Sequence, residues 1–151
     1  MNAPSRQTET EIRAACPQDS AQMAELAGQL GYTSTEEEIA RRLSAMQPLP
    51  GHAVYVAQSR DGRIVGWIGL LLFHTVEADA RAEVSGLVVH EAARSQGIGR
   101  QLLERAEQWA RENGCRQIGL RTNVLRERAH AFYEREGYLH SKTQRAYRKM
   151  L

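Results

Sequence analysis

Only two cysteines, Cys16 and Cys115, occur in the 151 residues, far apart and with no C-x-x-C pair or Cys/His cluster around them. That spacing supports neither a disulfide framework nor a zinc site, and no metal is expected. It suits two small buried thiols in a reducing compartment. Lysine is just as scarce. Apart from Lys142 and Lys149 the side-chain ammonium and guanidinium charge is all arginine, which reads as compositional bias. The cations form no stripe, and the net charge is +2 with 25% charged residues, so nucleic acid is not an expected partner. Long apolar runs are missing too. The longest, Ile64 to Phe73, is about half of what a membrane span needs. Met1 to Glu11 is polar and lacks the apolar centre of a signal peptide. No repeat, low-complexity tract or internal linker stands out. The expectation is a soluble, cytoplasmic protein with no membrane contact.

What is present fits one globular unit. A chain of 17.0 kDa with 42% hydrophobic residues can bury a single core. Residues 1–10 read as a flexible tail and 11–151 as one domain. Ile12 to Ala14 makes a short strand, and Asp19 or Ser20 can cap a helix whose apolar positions are Met23, Leu26, Ala27 and Leu30. Ser34 with Glu37, or Thr35 with Glu38, forms a capping box for a second helix running to about Met46. Ala53–Gln58, Ile64–Phe73 and Arg81–Val89 read as three strands, the first two joined by the turn Arg60-Asp61-Gly62-Arg63. A third helix spans about Gly97 to Asn113, with Ile98, Leu102, Ala106, Trp109 and Ala110 inward. Gln117–Thr122 reads as a strand, Glu127–Glu136 as a helix stopped by Gly137, and Ala146–Met150 as a closing edge strand.

The chemistry-bearing segment is Glu83-Val84-Ser85-Gly86-Leu87-Val88-Val89, followed by Arg94-Ser95-Gln96-Gly97-Ile98-Gly99-Arg100 and the third helix. An apolar strand feeds a glycine-rich turn that opens a helix. The first amides of that helix lack intrahelical partners and sit at the positive end of its dipole, which makes an anion trap. Glycines allow a phosphate close to the backbone, and Arg94 and Arg100 add positive charge beside it. A Walker loop is excluded because no Lys follows the glycines. A dinucleotide fingerprint fits poorly because Leu102 stands where the third glycine belongs.

The remaining pattern, R-x-x-G-x-G after an apolar strand, resembles the acyl-CoA signature of the GNAT superfamily of N-acetyltransferases. Ala129-His130-Ala131-Phe132-Tyr133-Glu134-Arg135-Glu136-Gly137-Tyr138 is similar to the family's A-x-x-[LF]-Y-x-x-x-G-[FY] segment, and the element order agrees over residues 11–150. The resemblance implies an α+β fold: a mixed, mostly antiparallel sheet flanked by helices on both faces. It implies transfer of an acetyl group from acetyl-CoA, as cosubstrate, to a primary amine. Arg94, Ser95, Gln96, Gly97, Ile98, Gly99 and Arg100 would hold the pyrophosphate. The backbone of Leu87, Val88 and Val89 would bind the pantetheine arm, with Gly86 easing a bulge. Glu83, four residues before Leu87 and so expected on the same face of the strand, would be the general base, with His74 a weaker candidate and a water chain the alternative. Tyr133 would be the general acid toward the CoA sulfur.

One departure stands out. Where the family often has Asn, this chain has Arg126, so Asn123 would take over the pantetheine contact or Arg126 would reach the CoA phosphates. The same donor site serves a small-molecule amine, a protein lysine or N-terminus, or a non-catalytic CoA-binding regulator. Acceptor choice is expected to lie in residues 22–50 and 74–82. By resemblance the protein is expected to be a homodimer.

Overall fold

The computed structural model describes residues 9–151. The expected tail, residues 1–10, lies outside the described residues except for its last two, and Thr10 already belongs to the first strand. The described residues divide into two compact units, 9–120 and 121–151.

The first unit holds five strands: β1 (Thr10–Ala14), β2 (His52–Ser59), β3 (Ile64–Phe73), β4 (Arg81–Val89) and β5 (Ile118–Leu120). They form one sheet in chain order, antiparallel except for the β4–β5 pair. Three helices accompany them: α1 (Ser20–Gln29), α2 (Glu36–Met46) and α3 (Ile98–Glu112), with short 3-10 turns at Pro17–Asp19 and Glu91–Ala93.

Directly paired residues of an antiparallel ladder project to one face. Trp67, Gly69 and Leu71 of β3 therefore share a face with Val56, Val54 and His52 of β2 and with Val88, Gly86 and Glu83 of β4. Val56 and Val88 join Met23, Leu26 and Ile64 in a buried cluster, against which Ile39 and Leu43 pack, so α1 and α2 cover this face. The other face meets α3. A Cβ added to Gly66 would lie 3.2 Å from Leu102 Cδ1 and 3.5 Å from Ile98 Cγ2. Helices thus flank the sheet on both faces, as the sequence implied.

Local chemistry explains most boundaries. At α2 the capping box is the Thr35–Glu38 one: Glu38 N donates to Thr35 Oγ1 at 3.1 Å, and Thr35 N donates to Glu38 Oε2 at 3.0 Å. Ser34 instead accepts from Arg42. At α1 the expected Asp19 cap does not form. The Asp19 carboxylate is taken by Arg13, with two bonds of 2.8 Å, and by the Cys16 amide at 2.9 Å. Those bidentate, charge-assisted bonds outcompete a neutral cap. Burial would raise the Asp19 carboxyl, but the bonds from Arg13 and Cys16 outweigh it and hold the group below its ordinary value. Both cysteines are free and half-buried rather than fully buried.

The second unit contains α4 (Glu127–Arg135) and a C-terminal segment without regular structure. Gly137, at φ 92°, ends the helix, and Tyr138 N donates to Tyr133 O at 2.9 Å. The expected strand at Ala146–Met150 is not formed. A strand needs a ladder partner for its backbone, and no described segment pairs with this one. Leu139, Tyr147, Met150 and Leu151 are exposed there. The strand expected at Gln117–Thr122 is shorter, Ile118–Leu120.

Two stability measurements check this packing. A methyl on Gly66 would sit 2.9 Å from the Val88 carbonyl oxygen, whereas one on Gly119 meets nothing within 4 Å. In urea unfolding, Gly66→Ala is expected to cost about 2 kcal/mol and Gly119→Ala less than about 0.5 kcal/mol. Asp19→Asn is expected to cost about 2 kcal/mol at pH 7. Because the folded carboxyl lies below its ordinary value of 3.8, its stabilisation is present above that pH and is lost as pH falls below it. The gap between wild type and Asp19→Asn should therefore close in acid.

Candidate active site

β4 carries one residue too many for its neighbour. Its register against β3 runs Glu83↔Leu71, Val84↔Leu70 and then Gly86↔Gly69, so Ser85 is the extra residue of a bulge. Bulges bend and twist a strand and end pairing. The parallel ladder with β5 stops at Val84↔Leu120, and from Ser85 to Val89 the strand pairs with β3 alone. Its outer edge therefore presents unpaired main-chain groups alongside Leu87, Val88 and Val89. The side chains of Leu87 and Val88 pack to opposite faces while that edge stays open.

The bulge also corrects an expectation. Glu83 pairs with Leu71 and Leu87 pairs with Ile68, and these β3 residues lie on opposite faces. Glu83 and Leu87 therefore do not share a face. Glu83 lies on the α1/α2 side, level with Gly86 and Trp67 rather than with Leu87.

The edge leads into the turn. His90 Nδ1 accepts from Ala92 N at 3.1 Å, and Glu91 N donates to Gln29 Oε1 at 3.3 Å, which ties the turn to α1. Ser95 (φ 66°) and Gly97 (φ 78°) both adopt left-handed backbone. Gly97 takes this position at no steric cost, but Ser95 carries strain of the kind that collects at ligand clamps. Gly97 is the N-terminal flanking residue of α3, and no side chain caps the helix. Ile98 is buried at 3% exposure and anchors the helix start, while Arg94, Ser95, Gln96 and Arg100 are exposed around it. Arg100 Nε donates to Glu104 at 3.1 Å, an exposed i,i+4 pair. Such an exposed pair is worth little to stability.

Glu83 has a side chain 13% exposed, with Oε2 3.8 Å from an Arg81 nitrogen. Two further residues share its setting: Arg81, which the sequence offered as a pairing partner for Glu83, and Ser85, to which it gave no role. Arg81 stacks on Phe73, 4.3 Å from the ring centroid. The Ser85 hydroxyl reaches over Gly69, where an added Cβ would come within 2.6 Å of it. Arg81 was legible as two residues before Glu83, but Ser85 needed the bulge. His74 lies one residue past β3 and is exposed.

In the second unit, Tyr133 is half-buried on α4 between Phe132 (centroids 5.2 Å apart) and Tyr138 (6.0 Å). Burial pushes its phenol above the usual value, partly offset by the positive Arg126. Arg126 is exposed at the N-terminal flank of α4 and caps nothing. Asn123 Oδ1 accepts from Leu125 N at 2.9 Å and its carbonyl faces His130 Nε2 at 2.8 Å, so His130 braces the loop and Asn123 keeps its amide hydrogens. Among the described residues no three His, Cys, Asp or Glu side chains group to hold a metal, and no helix is long and apolar enough to cross a membrane.

The model of the Acetyltransferase (GNAT) family matches residues 20–138. This chain belongs to the GNAT family. As a GNAT protein it is an N-acetyltransferase. It is 36% identical over 132 residues to an aminoalkylphosphonate N-acetyltransferase of Salmonella typhimurium, covering 87% of this chain and 86% of the relative. It is 29% identical to an aminoglycoside N(6')-acetyltransferase type 1 of Stenotrophomonas maltophilia, covering 84% of each. Aminoglycoside N-acetyltransferase AAC(6')-Iy, solved in complex with CoA, shares the fold with TM-score 0.84 at 18% identity, over 99% of this chain and all of that one.

Proposed function

We propose that this GNAT enzyme transfers the acetyl group of acetyl-CoA to the primary amine of a small molecule. The observation that carries the reading is the open edge of β4 from Ser85 to Val89 running directly into the uncapped start of α3. An extended, amide-bearing arm can lie along the edge while its diphosphate meets the helix amides. The names of the relatives support the rest: they act on aminoalkylphosphonates and aminoglycosides, both small amines, and one structural neighbour was solved with CoA.

In this reading the α3 amides and the turn from Arg94 to Arg100 hold the diphosphate. Main-chain groups of Leu87, Val88 and Val89 hold the pantetheine arm, and an amide among them stabilises the oxyanion. Asn123 contributes its free amide hydrogens to the arm, and Arg126 contributes charge toward the phosphates. Glu83 takes a proton from the ammonium, whose pKa near ~10 otherwise keeps it non-nucleophilic. The amine nitrogen attacks the thioester carbon, the C–S bond breaks as Tyr133 gives its proton to the departing thiolate, and the second N–H proton of the new amide passes to the Tyr133 phenolate. A phenol held above its ordinary value keeps that proton throughout the neutral range. Residues 11–151 make one domain in this reading, and the family match over residues 20–138 supports it. The enzyme works as a homodimer in the cytoplasm, where acetyl-CoA is available.

Titration calorimetry with coenzyme A tests the donor site, and an absence of binding at millimolar concentration refutes it. Tyr133→Phe should bind acetyl-CoA like wild type and lose about 100-fold in kcat. Because burial raises the Tyr133 phenol, the midpoint of the wild-type rate loss on its ionisation should lie above that of an ordinary phenol. Glu83→Gln should lose a comparable factor, recovered in part as rising pH deprotonates the amine. Unchanged turnover in either variant removes that residue from the mechanism.

A further inference from the structure

The arginines of the first unit spend their guanidinium donors differently. Arg13 gives its nitrogens to Asp19, Gln58 and a main-chain carbonyl, and Arg105 donates to Tyr55. Arg81 is held by the Phe73 ring and by the charge of Glu83, yet at 3.8 Å the carboxylate is beyond hydrogen-bond distance, and Arg81 makes no hydrogen bond among the described residues. Its side chain is 30% exposed, so it is ordered, largely desolvated and still reachable. A half-buried guanidinium with unspent donors is costly unless an acceptor fills the fork, and its planar geometry matches an oxyanion bidentately.

Its position supplies the other half of the argument. Arg81 and Glu83 alternate on one face of β4, roughly 6.6 Å apart along the strand. The Ser85 hydroxyl stands on the same face over Gly69, on the other side of Glu83. We infer that Arg81 binds the anionic group of the acceptor, so that the preferred substrate is a short zwitterion: an amine a few bonds from a phosphonate, phosphate or carboxylate. The anion seats in the Arg81 fork, and the ammonium is thereby delivered to the Glu83 carboxylate, with Ser85 as a further hydrogen-bond partner. This inference rests on the acetyl-transfer reading and assigns its substrate class. A polycationic acceptor would instead meet a guanidinium at the base. The acidic residues that might attract one are spent or solvated: Glu38 closes the α2 capping box, and Glu36, Glu37, Glu77 and Asp79 are exposed.

The test is steady-state kinetics with aminomethylphosphonate, β-alanine, propylamine and an aminoglycoside, on wild type, Arg81→Met and Arg81→Lys. Calorimetric titration of aminomethylphosphonate into the CoA-bound enzyme is run alongside. Wild type should favour the anionic amines over propylamine by about 50-fold or more in kcat/KM, and the phosphonate and carboxylate arms identify which oxyanion is read. Arg81→Met should raise KM for the favoured anionic amine by about the same factor, with a far smaller change for propylamine, and Arg81→Lys should recover part of the loss through its charge. Equal losses on all amines would make Arg81 a support for Glu83 alone and overturn the inference. So would wild-type turnover of propylamine or the aminoglycoside that matches the anionic amines, with acetyl transfer itself left standing. No turnover of any amine together with no heat from aminomethylphosphonate would overturn both readings.

Discussion

The extra residue in β4 is the constraint on which the rest of the site depends. Without Ser85, β4 could continue its ladder with β5, and no open main-chain edge would run toward α3. With the same residues in a regular, unbulged ladder, Glu83 would also fall on the α3 face with Leu87. The bulge works because small residues surround it. Gly69 leaves space for the Ser85 hydroxyl, and Gly86 lets the Trp67 ring lie close, since an added Cβ would come within 3.1 Å of that ring. One insertion thus separates two tasks along a single strand. Its lower half projects Arg81 and Glu83 from the α1/α2 face, and its upper half leaves main-chain groups unpaired by β5.

Much of this was legible in the residues themselves. The capping box of α2, which the sequence left between Ser34/Glu37 and Thr35/Glu38, the glycine stops at Gly31 and Gly137, and the helical apolar spacing of α3 are local signals that reappear in the structure. The glycine-rich turn into α3 was legible for the same reason, because left-handed glycine backbone and a missing cap are properties of a few adjacent residues. The features that escaped are non-local. A bulge is a mismatch between two strands, so the face of Glu83 could not be read from the alternation of β4 alone. The length of β5 is set by where β4 bends away, and the apolar content of Gln117–Thr122 says nothing of that. Asp19 has the right chemistry for a cap, but a guanidinium from β1 reaches it first. The segment Ala146–Met150 has strand-forming residues and no described partner.

The charge pattern takes on a different meaning once the fold is known. A bias toward arginine carries no functional message by count. It matters where a guanidinium is pinned: Arg13 fastens β1 to the chain leading into α1, and Arg105 braces α3 against β2 through the Tyr55 hydroxyl and ring. A lysine at either place would keep the charge and lose the planar, multi-donor geometry.

The open edge of β4 has one more consequence. A bare strand edge is a template for any passing backbone, and proteins with long ones tend to stick to one another. Here the exposure is kept brief. Pairing with β5 shields the strand as far as Val84, the bend at Ser85 spoils the flatness that an intruding strand needs, and the chain turns away after Val89 into the Glu91–Ala93 turn. The short, bent edge therefore resists recruitment into an extended intermolecular sheet. The irregularity that opens this edge also protects the molecule from self-association through it.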